Sequence, residues 1–301
     1  MIQRMSLPFL LLVACDGGGT KDTDTGGGGE AARTFDYFVF TNEVYTGDST
    51  CIGSDMGTVD PAKQVSVTFN GEVHDFQTEN EVSEATVQFW LADDISGAAD
   101  AEHTADADGK FSTTVPTCTP IAYGTFTPPE WEETVDTYEV HQVYGYVETG
   151  SIDGEWVNSV SQSTSKIIPS VIGIEWDNTT GIIAGTAFDC TETEIGNAQI
   201  FIHDGNGTPP ATGEIFFFDD NNLPTSHDKL TATNPENGLW VAVNVPVGTW
   251  QVEMWGWSGT EHVLLGSTVL NILSGSVNIS NIYTGHDDGI AYPDSCLMGA
   301  M

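Results

Sequence analysis

A β-unit occurs twice in this chain, and that duplication limits the fold more than any other feature. The first copy runs through Gly71-Glu-Val-His74, Ala85-Thr-Val-Gln-Phe-Trp90, Asp106-Ala-Asp-Gly-Lys-Phe111 and Val115-Pro116. The second runs through Gly185-Thr-Ala-Phe188, Ala198-Gln-Ile-Phe-Ile202, Asn237-Gly-Leu-Trp240 and Val245-Pro246. Gly71 and Gly185 lie 114 positions apart, and Pro116 and Pro246 lie 130 apart. The order is kept while one intervening loop has grown, as expected of a duplicated body whose loops have drifted. A chain of 301 residues is long enough to bury two ordinary cores.

Period-two alternation and β-branched or aromatic content mark the strands. In the first body they are Phe35–Val44, Gln64–Asn70, Thr86–Leu91, Lys110–Val115, Ile121–Phe126, Tyr138–Val147 and Glu155–Ser163. Gly71 permits a bend or close packing before Val73, and Pro128-Pro129-Glu-Trp-Glu-Glu133 is a loop. The second body begins near Ile167–Trp176 and reads Gly181–Phe188, Asn197–His203, Glu214–Asp219, Leu239–Val245, Thr249–Trp257, His262–Ile272 and Val277–Tyr283. No stretch sustains helical periodicity. Many short strands separated by Gly, Pro, Asn and Asp predict an all-β chain of two tandem antiparallel Greek-key β-sandwiches, transthyretin-like or Ig-like.

Charge narrows the partners. The chain carries 44 acidic residues against 7 Lys plus Arg, a net charge of −37. Such a surface repels phosphate backbones, which excludes nucleic acid. It confers solubility, and it leaves Ca²⁺ as the one cation the loop carboxylates suggest.

The first 14 residues place one basic side chain, Arg4, before a short apolar run that ends in small residues. That is an export leader, too short to span a membrane as a mature helix. Leu12-Val13-Ala14-Cys15 resembles the bacterial lipobox, in which the cysteine thiol accepts a diacylglycerol and becomes the first residue after cleavage. Two or three acyl chains anchor stably where one is marginal. Residues 15–34 are Gly-rich and polar, a flexible tether holding a folded body off the membrane. The expected organisation is leader 1–14, tether 15–34, first sandwich 35–168 and second sandwich 169–301.

With Cys15 set aside, Cys51, Cys118, Cys190 and Cys296 remain. An even number in an exported chain implies two disulfides, for which three pairings exist. Two cysteines fall in each half, so Cys51–Cys118 and Cys190–Cys296 is the simplest pairing. Their long intervals do not fit a zinc knuckle.

The order Gly-x-Val, Ala-x-Val, Asp-x-Asp-Gly-Lys-Phe, Val-Pro resembles the carboxypeptidase regulatory-like domain, a transthyretin-like seven-stranded sandwich. In the first copy Gly71, Ala85, Val87, Asp106, Asp108, Gly109, Phe111 and Pro116 carry the likeness. In the second, Gly185, Ala198, Ile200, Gly238, Trp240, Pro246, Gly248 and Trp250 carry it. It covers about half of each body. Cys118 stands where the pattern has a glycine after Pro116. Ile121–Phe126 and the segment around Tyr144-Gly-Tyr146 both compete as the first body's counterpart of Trp250–Trp257. The resemblance implies a scaffold without catalytic residues of its own.

Few residues carry candidate chemistry. Asp106 and Asp108 read first as a turn, whose Asp holds its own backbone while Gly109 supplies a positive φ. They and Asp219 and Asp220 read second as weak Ca²⁺ ligands, without the closing bidentate Glu of an EF-hand. Trp255 and Trp257 lie on the face of Trp250–Trp257 opposite Trp250, Val252 and Met254. That face either stacks on a ligand or is covered by the second sheet and the neighbouring body. Seven histidines form no local zinc motif, and no G-x-S-x-G elbow supports a triad.

The expectation is a lipid-anchored protein of the bacterial cell envelope, a structural or adhesive binding module without catalysis. Its partners are the membrane through the anchor and an envelope protein or polysaccharide. Which membrane and leaflet stays open. The alternative is a calcium-dependent or carbohydrate-binding surface receptor, with a non-local enzyme site a distant third.

Overall fold

The computed structural model describes residues 40–299 except Asp55, Gln77, 127–133 and Thr149. The leader, Cys15, the tether, the start of the Phe35–Val44 strand and the Pro128–Glu133 loop lie outside the described residues. Seven strands form the first half: β1 (Ser66–Asp75), β2 (Thr86–Trp90), β3 (Ala101–Thr104), β4 (Lys110–Pro116), β5 (Ile121–Phe126), β6 (Thr134–Gln142) and β7 (Ser151–Ser161). A helix, α1 (Gln162–Val171), leads to the second half. There the strands are β8 (Gly181–Phe188), β9 (Ala198–His203), β10 (Glu214–Phe218), β11 (Pro224–Thr225), β12 (Leu239–Val245), β13 (Gly248–Trp257), β14 (His262–Ile272), β15 (Ser276–Ile279) and β16 (Ile282–Tyr283).

The repeat holds at the level of single hydrogen bonds. β1 pairs with β4 as β8 pairs with β12, β2 with β5 as β9 with β13, β5 with β6 as β13 with β14, and β1 with β7 as β8 with β15. Ile121–Phe126 is therefore the counterpart of the Trp250 strand. The amide of Val73 donates to Gly109 O (2.8 Å) and that of Ala187 to Gly238 O (2.9 Å). The repeated glycines have a packing cause. A Cβ on Gly71 would lie 2.6 Å from the rings of Phe69 and Phe111, and one on Gly185 would lie 1.9 Å from Ser280 O. Gly71 thus allows close packing, and β1 continues through it against β4 while its register against β7 shifts between Asn70 and Gly71.

Each half is a sandwich. In the first, β4-β1-β7 faces β6-β5-β2-β3 over Phe69, Phe89, Val73, Val87 and Val157. In the second, β11-β10-β12-β8-β15 faces β14-β13-β9 over Trp240, Ile183, Ile200, Val252 and Met254. Most ladders are antiparallel. The β1/β7, β8/β15, β8/β16 and β15/β6 pairs are parallel. The last joins the halves: β15 bonds β8 on one edge and β6 on the other, so one sheet runs continuously from β11 to β3. The core follows, since Trp90, Ile95, Tyr138 and Val140 pack with the second half's interior.

The terminal segments cross over. Residues 40–51 lie on the second half, bridging Val44 to Trp257 and Thr46 to Gly196. The C-terminal segment returns to the first half. There Asp60 N donates to Cys296 O (2.9 Å), Met298 N to Thr58 O (2.9 Å) and Lys63 Nζ to Leu297 O (2.8 Å). This crossing overturns the within-half disulfide pairing. The bridges are Cys51–Cys190 and Cys118–Cys296, spanning 139 and 178 residues. Proximity in sequence misleads because Cys51 and Cys296 sit on segments that leave their own half. For the same reason the described part of Phe35–Val44 makes a bridge at Val44 instead of a strand.

The helix α1 stands where alternation predicts the end of one strand and the start of another. Its boundaries are chemically clear. The hydroxyl of Ser161 accepts from Thr164 N (3.1 Å), satisfying one open donor. At the other end Ile174 N donates to Pro169 O and Gly173 N to Ser170 O, a Schellman motif with Gly173 at φ +75°. Ile168 and Ile172 pack on the outer face of the shared sheet with Val135, Ile182, Val241 and Val277. No helix among the described residues is long and apolar enough to cross a membrane.

Mass mapping of unreduced peptides is expected to recover the Cys51–Cys190 and Cys118–Cys296 links. Replacing Cys118 and Cys296 together by Ala is expected to lower stability by roughly 2–5 kcal/mol in denaturant melts, because the closed loop is long. An unchanged midpoint would mean that the bridge adds nothing to the fold.

Candidate functional site: the aromatic face of the second sandwich

Alternation along β13 sends Val252 and Met254 fully into the core. Its other face presents Glu253, Trp255 and Trp257, beside Phe201 and His203 of β9 and His262 of β14. The structure brings both predicted tryptophans onto this one face and leaves both half-buried.

The cover is the chain's own N-terminal strap. The Phe40 ring lies 4.9 Å from Phe201, 4.4 Å from His262 and 6.4 Å, edge-on, from Trp255. Thr41 N donates to Gln199 Oε1 (3.0 Å), and His262 Nε2 lies 3.0 Å from Thr41 O. Tyr45 N donates to Trp257 O (3.2 Å). The face is thus lined by aromatic rings and closed by residues that the sequence assigns to the other body.

Beneath the strap runs a buried polar relay. Trp255 Nε1 donates to Glu253 Oε2 (2.8 Å), and Glu253 Oε1 lies 2.9 Å from His203 Nε2. That oxygen sits off the N–H axis, so the close approach is an electrostatic contact and not a well-aligned hydrogen bond. His203 Nδ1 accepts from Gly205 N (3.0 Å) and Gly207 N (3.3 Å). Those bonds put the imidazole proton on Nε2, facing the carboxylate. With both acceptor oxygens of Glu253 engaged and its neighbours packed, the relay orders the sheet face and offers no open position to a substrate.

The predicted acidic candidates are engaged elsewhere. Asp106 Oδ1 accepts from Asp108 N and Lys110 N (both 2.9 Å), while Gly109 takes φ +71°. Asp219 Oδ1 accepts from Asn221 N (2.9 Å) and Leu223 N (3.2 Å), and Asp220 Oδ1 accepts from Asn234 Nδ2 (2.6 Å). Asp108 stands exposed at the tip of its turn. The same device recurs at Asp189 and Asp204, whose Oδ1 atoms accept from the amides two and four residues on. In all four turns the Asp amide donates to the carbonyl of the fifth residue. Among the described residues, no group of three or more His, Cys, Asp or Glu is placed to hold a metal ion.

Two features lay beyond sequence reasoning. At the junction His141 and Asp93, both with positive φ, join through Nδ1 and Oδ2 at 2.5 Å, and His141 Nε2 lies 3.2 Å from Val269 O. The clamp ties β6 to β14 across 128 residues. On the outer face of β4-β1-β7 an open trough of about 400 Å³ is lined by Asn70, Gly71, Glu72, Asp106, Lys110, Phe111, Ser112 and Gly154. Next to it, Trp156 stacks on His74 at 4.0 Å. The positive φ at Asp93 and His141 has a sequence correlate, since Asp and His tolerate that region better than most residues.

No protein-family model and no curated protein matches this chain. Among solved structures it is similar to the Bacillus anthracis TIE protein, at 13% identity over 73% of this chain and 34% of that one, with a TM-score of 0.25. It is also similar to the shaft pilin SpaA of Lactobacillus rhamnosus GG (13% identity, 75% of this chain and 100% of that one, TM-score 0.23). BcpA, the major pilin subunit of Bacillus cereus, matches at 10% identity over 73% of this chain and 100% of that one, with a TM-score of 0.24. The chain spans about a third of the length of the TIE protein. At these scores the overlaps assign neither a family nor an activity.

Two outcomes are expected. His203→Ala leaves the buried Glu253 carboxylate without its N–H neighbour. Leaving a buried acceptor short of a donor costs roughly 1–3 kcal/mol, read as a shift in denaturant midpoint. The second concerns acid. Burial pushes the Asp189 carboxyl up, but the amides of Asp48, Thr191 and Thr193 and the Thr191 hydroxyl outweigh it and hold it below the usual range. The amides of Thr208 and Asn206 hold Asp204 low in the same way. A carboxyl lowered on folding contributes stability above its ordinary value of 3.8 and loses it as pH falls through the folded value. Melting temperature is therefore expected to drop between about pH 4 and pH 2. Asp204→Asn, which keeps the one oxygen that accepts from Asn206 N and Thr208 N but cannot titrate, should flatten part of that slope.

Proposed function

We propose that this protein is a lipid-anchored structural or adhesive module of the bacterial cell envelope, without catalysis, held to a membrane through Cys15. The observation that carries this reading is the interlacing of the two disulfides. Along the chain the cysteines fall in the order Cys51, Cys118, Cys190, Cys296, and each bridge joins alternate members. Tension that enters from the tether peels the strap as far as Cys51. It then divides between the chain running on to Cys118 and the bridge to Cys190. The shorter route takes the 67 residues to Cys118 and crosses to Cys296, while the route through Cys190 has 106 residues to Cys296 and stays slack, so the body yields only a small part of its length. Such wiring suits a spacer that is pulled. The solved proteins named above include two that are described as pilins, a description that fits the same setting but adds no weight.

Trp255 and Trp257 are half-buried, and the Phe40 ring of the strap screens Trp255.

The test has two parts. Cys15→Ala should move the protein from the membrane to the soluble fraction and abolish acylation, and persistent acylated membrane protein would sink the anchor. Pulling the oxidised body between its ends should release only the 67 residues from Cys51 to Cys118, roughly 220–240 Å at ~3.3–3.6 Å per residue. Loss of Cys118–Cys296 should lengthen that step to 106 residues, whereas loss of Cys51–Cys190 should leave it at 67. Equal lengthening by either loss would refute the force path.

A further inference from the structure

The chain contains three Asn-x-Ser/Thr triplets: Asn178-Thr-Thr180, Asn206-Gly-Thr208 and Asn278-Ile-Ser280. Such a triplet is an acceptor for N-linked saccharide only where its side chains reach the surface. The fold separates the three. Asn278 is 1% exposed, and its amide donates to Ile182 O (3.3 Å) and Ser276 Oγ (3.1 Å) inside the shared sheet. Asn178 is exposed, but the hydroxyl of Thr180 is committed to Asp177 O at 2.6 Å, Gly275 N donates to Thr180 O (2.8 Å), and Ser274 Oγ donates to Asn178 O (3.2 Å).

Asn206 differs in placement, although the Asp204 carboxylate draws on the side chains of Asn206 and Thr208 as well as on their amides. It stands at the exposed tip of the β9–β10 turn, with Asp204, Gly205 and Thr208 exposed around it. Gly205 and Gly207 flank it at φ +81° and +87°, and nothing lies within 4 Å of a Cβ built on Gly205. The base of the turn is held by His203 Nδ1 and by Asp204 Oδ1, which keeps the tip projecting from the sheet. Asp204 adds a carboxylate two residues before the asparagine, a charge that a basic group on a transferase can grip.

We infer that Asn206 is a site of N-linked glycosylation. The reacting group is the side-chain amide nitrogen. It attacks the anomeric carbon of a saccharide carried on a polyprenyl pyrophosphate, and the C–N bond forms as the C–O bond to pyrophosphate breaks. The lipid pyrophosphate leaves with the electron pair, and one amide proton passes to a base of the transferase. The inference rests on the export proposed above, because the protein must reach the compartment where such donors are used.

The experiment maps peptides by mass in two samples. Protein purified from the cells that make it should carry a saccharide mass on the Asn206 peptide. Folded, oxidised protein given an oligosaccharyltransferase and a polyprenyl-pyrophosphate oligosaccharide should gain one saccharide there. Asn206→Gln and Thr208→Val should lose the modification completely, while Thr208→Ser and Asn178→Gln keep it. Native protein that is acylated at Cys15 but bare at Asn206, or modified at Asn178 instead, overturns the inference and leaves the proposed function standing. If the native protein is neither exported nor acylated, the proposed function fails, and transfer to Asn206 in the second sample decides the site on its own. A gain of one mass unit, as from deamidation at Asn206-Gly207, counts as no transfer.

Discussion

Strand β15 is four residues long, and the unity of the molecule depends on it. A duplicated sandwich leaves each copy with sheet edges whose N–H and C=O groups must find partners. Here β15 gives one edge to β8 of its own copy and the other to β6 of the first. Two edges that would be open are thereby closed on each other. The cost of ordering a linker between the copies is avoided as well, because α1 covers the outer face of the same junction. Once β6 and β15 are paired, the hydrophobic interior has no boundary to respect, and Trp90, Tyr138 and Val140 join the second half's core. Each copy is therefore incomplete alone, which a reading as two independent bodies does not convey.

The acidic composition has a structural share that charge counting obscures. Lys and Arg number 7, so few of the 44 acidic side chains can be neutralised by ion pairs. Many are held by backbone amides instead, and the five-residue turn that begins at Asp106, Asp189, Asp204 and Asp219 is the repeated form. At Asp189 the device reaches further, because its other oxygen accepts from Asp48 N (2.7 Å) next to the Cys51–Cys190 bridge. One carboxylate thus closes a hairpin and seats the strap. Local negative charge is compatible with stability where N–H dipoles point at it, and repulsion between distant exposed carboxylates is screened by salt.

What the sequence made legible follows from how local its causes are. Ile121–Phe126, Gly181–Phe188, Leu239–Val245 and His262–Ile272 match their strands residue for residue, because alternation and flanking turn residues act within a few positions. The helix α1 escaped because Ile167, Ile168, Val171 and Ile172 are β-branched and mimic a strand. Its Ser161 cap and Gly173 stop were present in the sequence but fell within a span already assigned to strands. The two-residue β11 and the four-residue β3 are too short to show a period. The disulfide pairing depended on contacts across 139 and 178 residues, which no local pattern encodes. At the aromatic face the alternation of Trp255 and Trp257 was legible, and the strap that covers them was not.

The crossing of the termini explains why the copies differ where they do. A segment that lies on the opposite half needs a partner there that its own half lacks. Cys51 found Cys190 just after β8, and Cys296 found Cys118 just after β4, the strand that β12 matches in the repeat. The bridges therefore sit at non-equivalent places in two equivalent bodies, which is the arrangement expected if duplication came first and the straps were fixed afterwards. The same logic applies to the aromatic face. In the register of the repeat Phe126 of β5 stands where β13 has Trp255, each opposite the residue after the shared alanine, and Phe126 packs edge-on against Tyr138 at 5.5 Å. On the second copy the strap's Phe40 ring packs against Phe201, His262 and Trp255, while the Tyr45 ring lies on the opposite face of β13, over Gly256. The face and its cover are thus one feature of the fold, and a ligand that takes the place of Phe40 beside Trp255 must displace the strap.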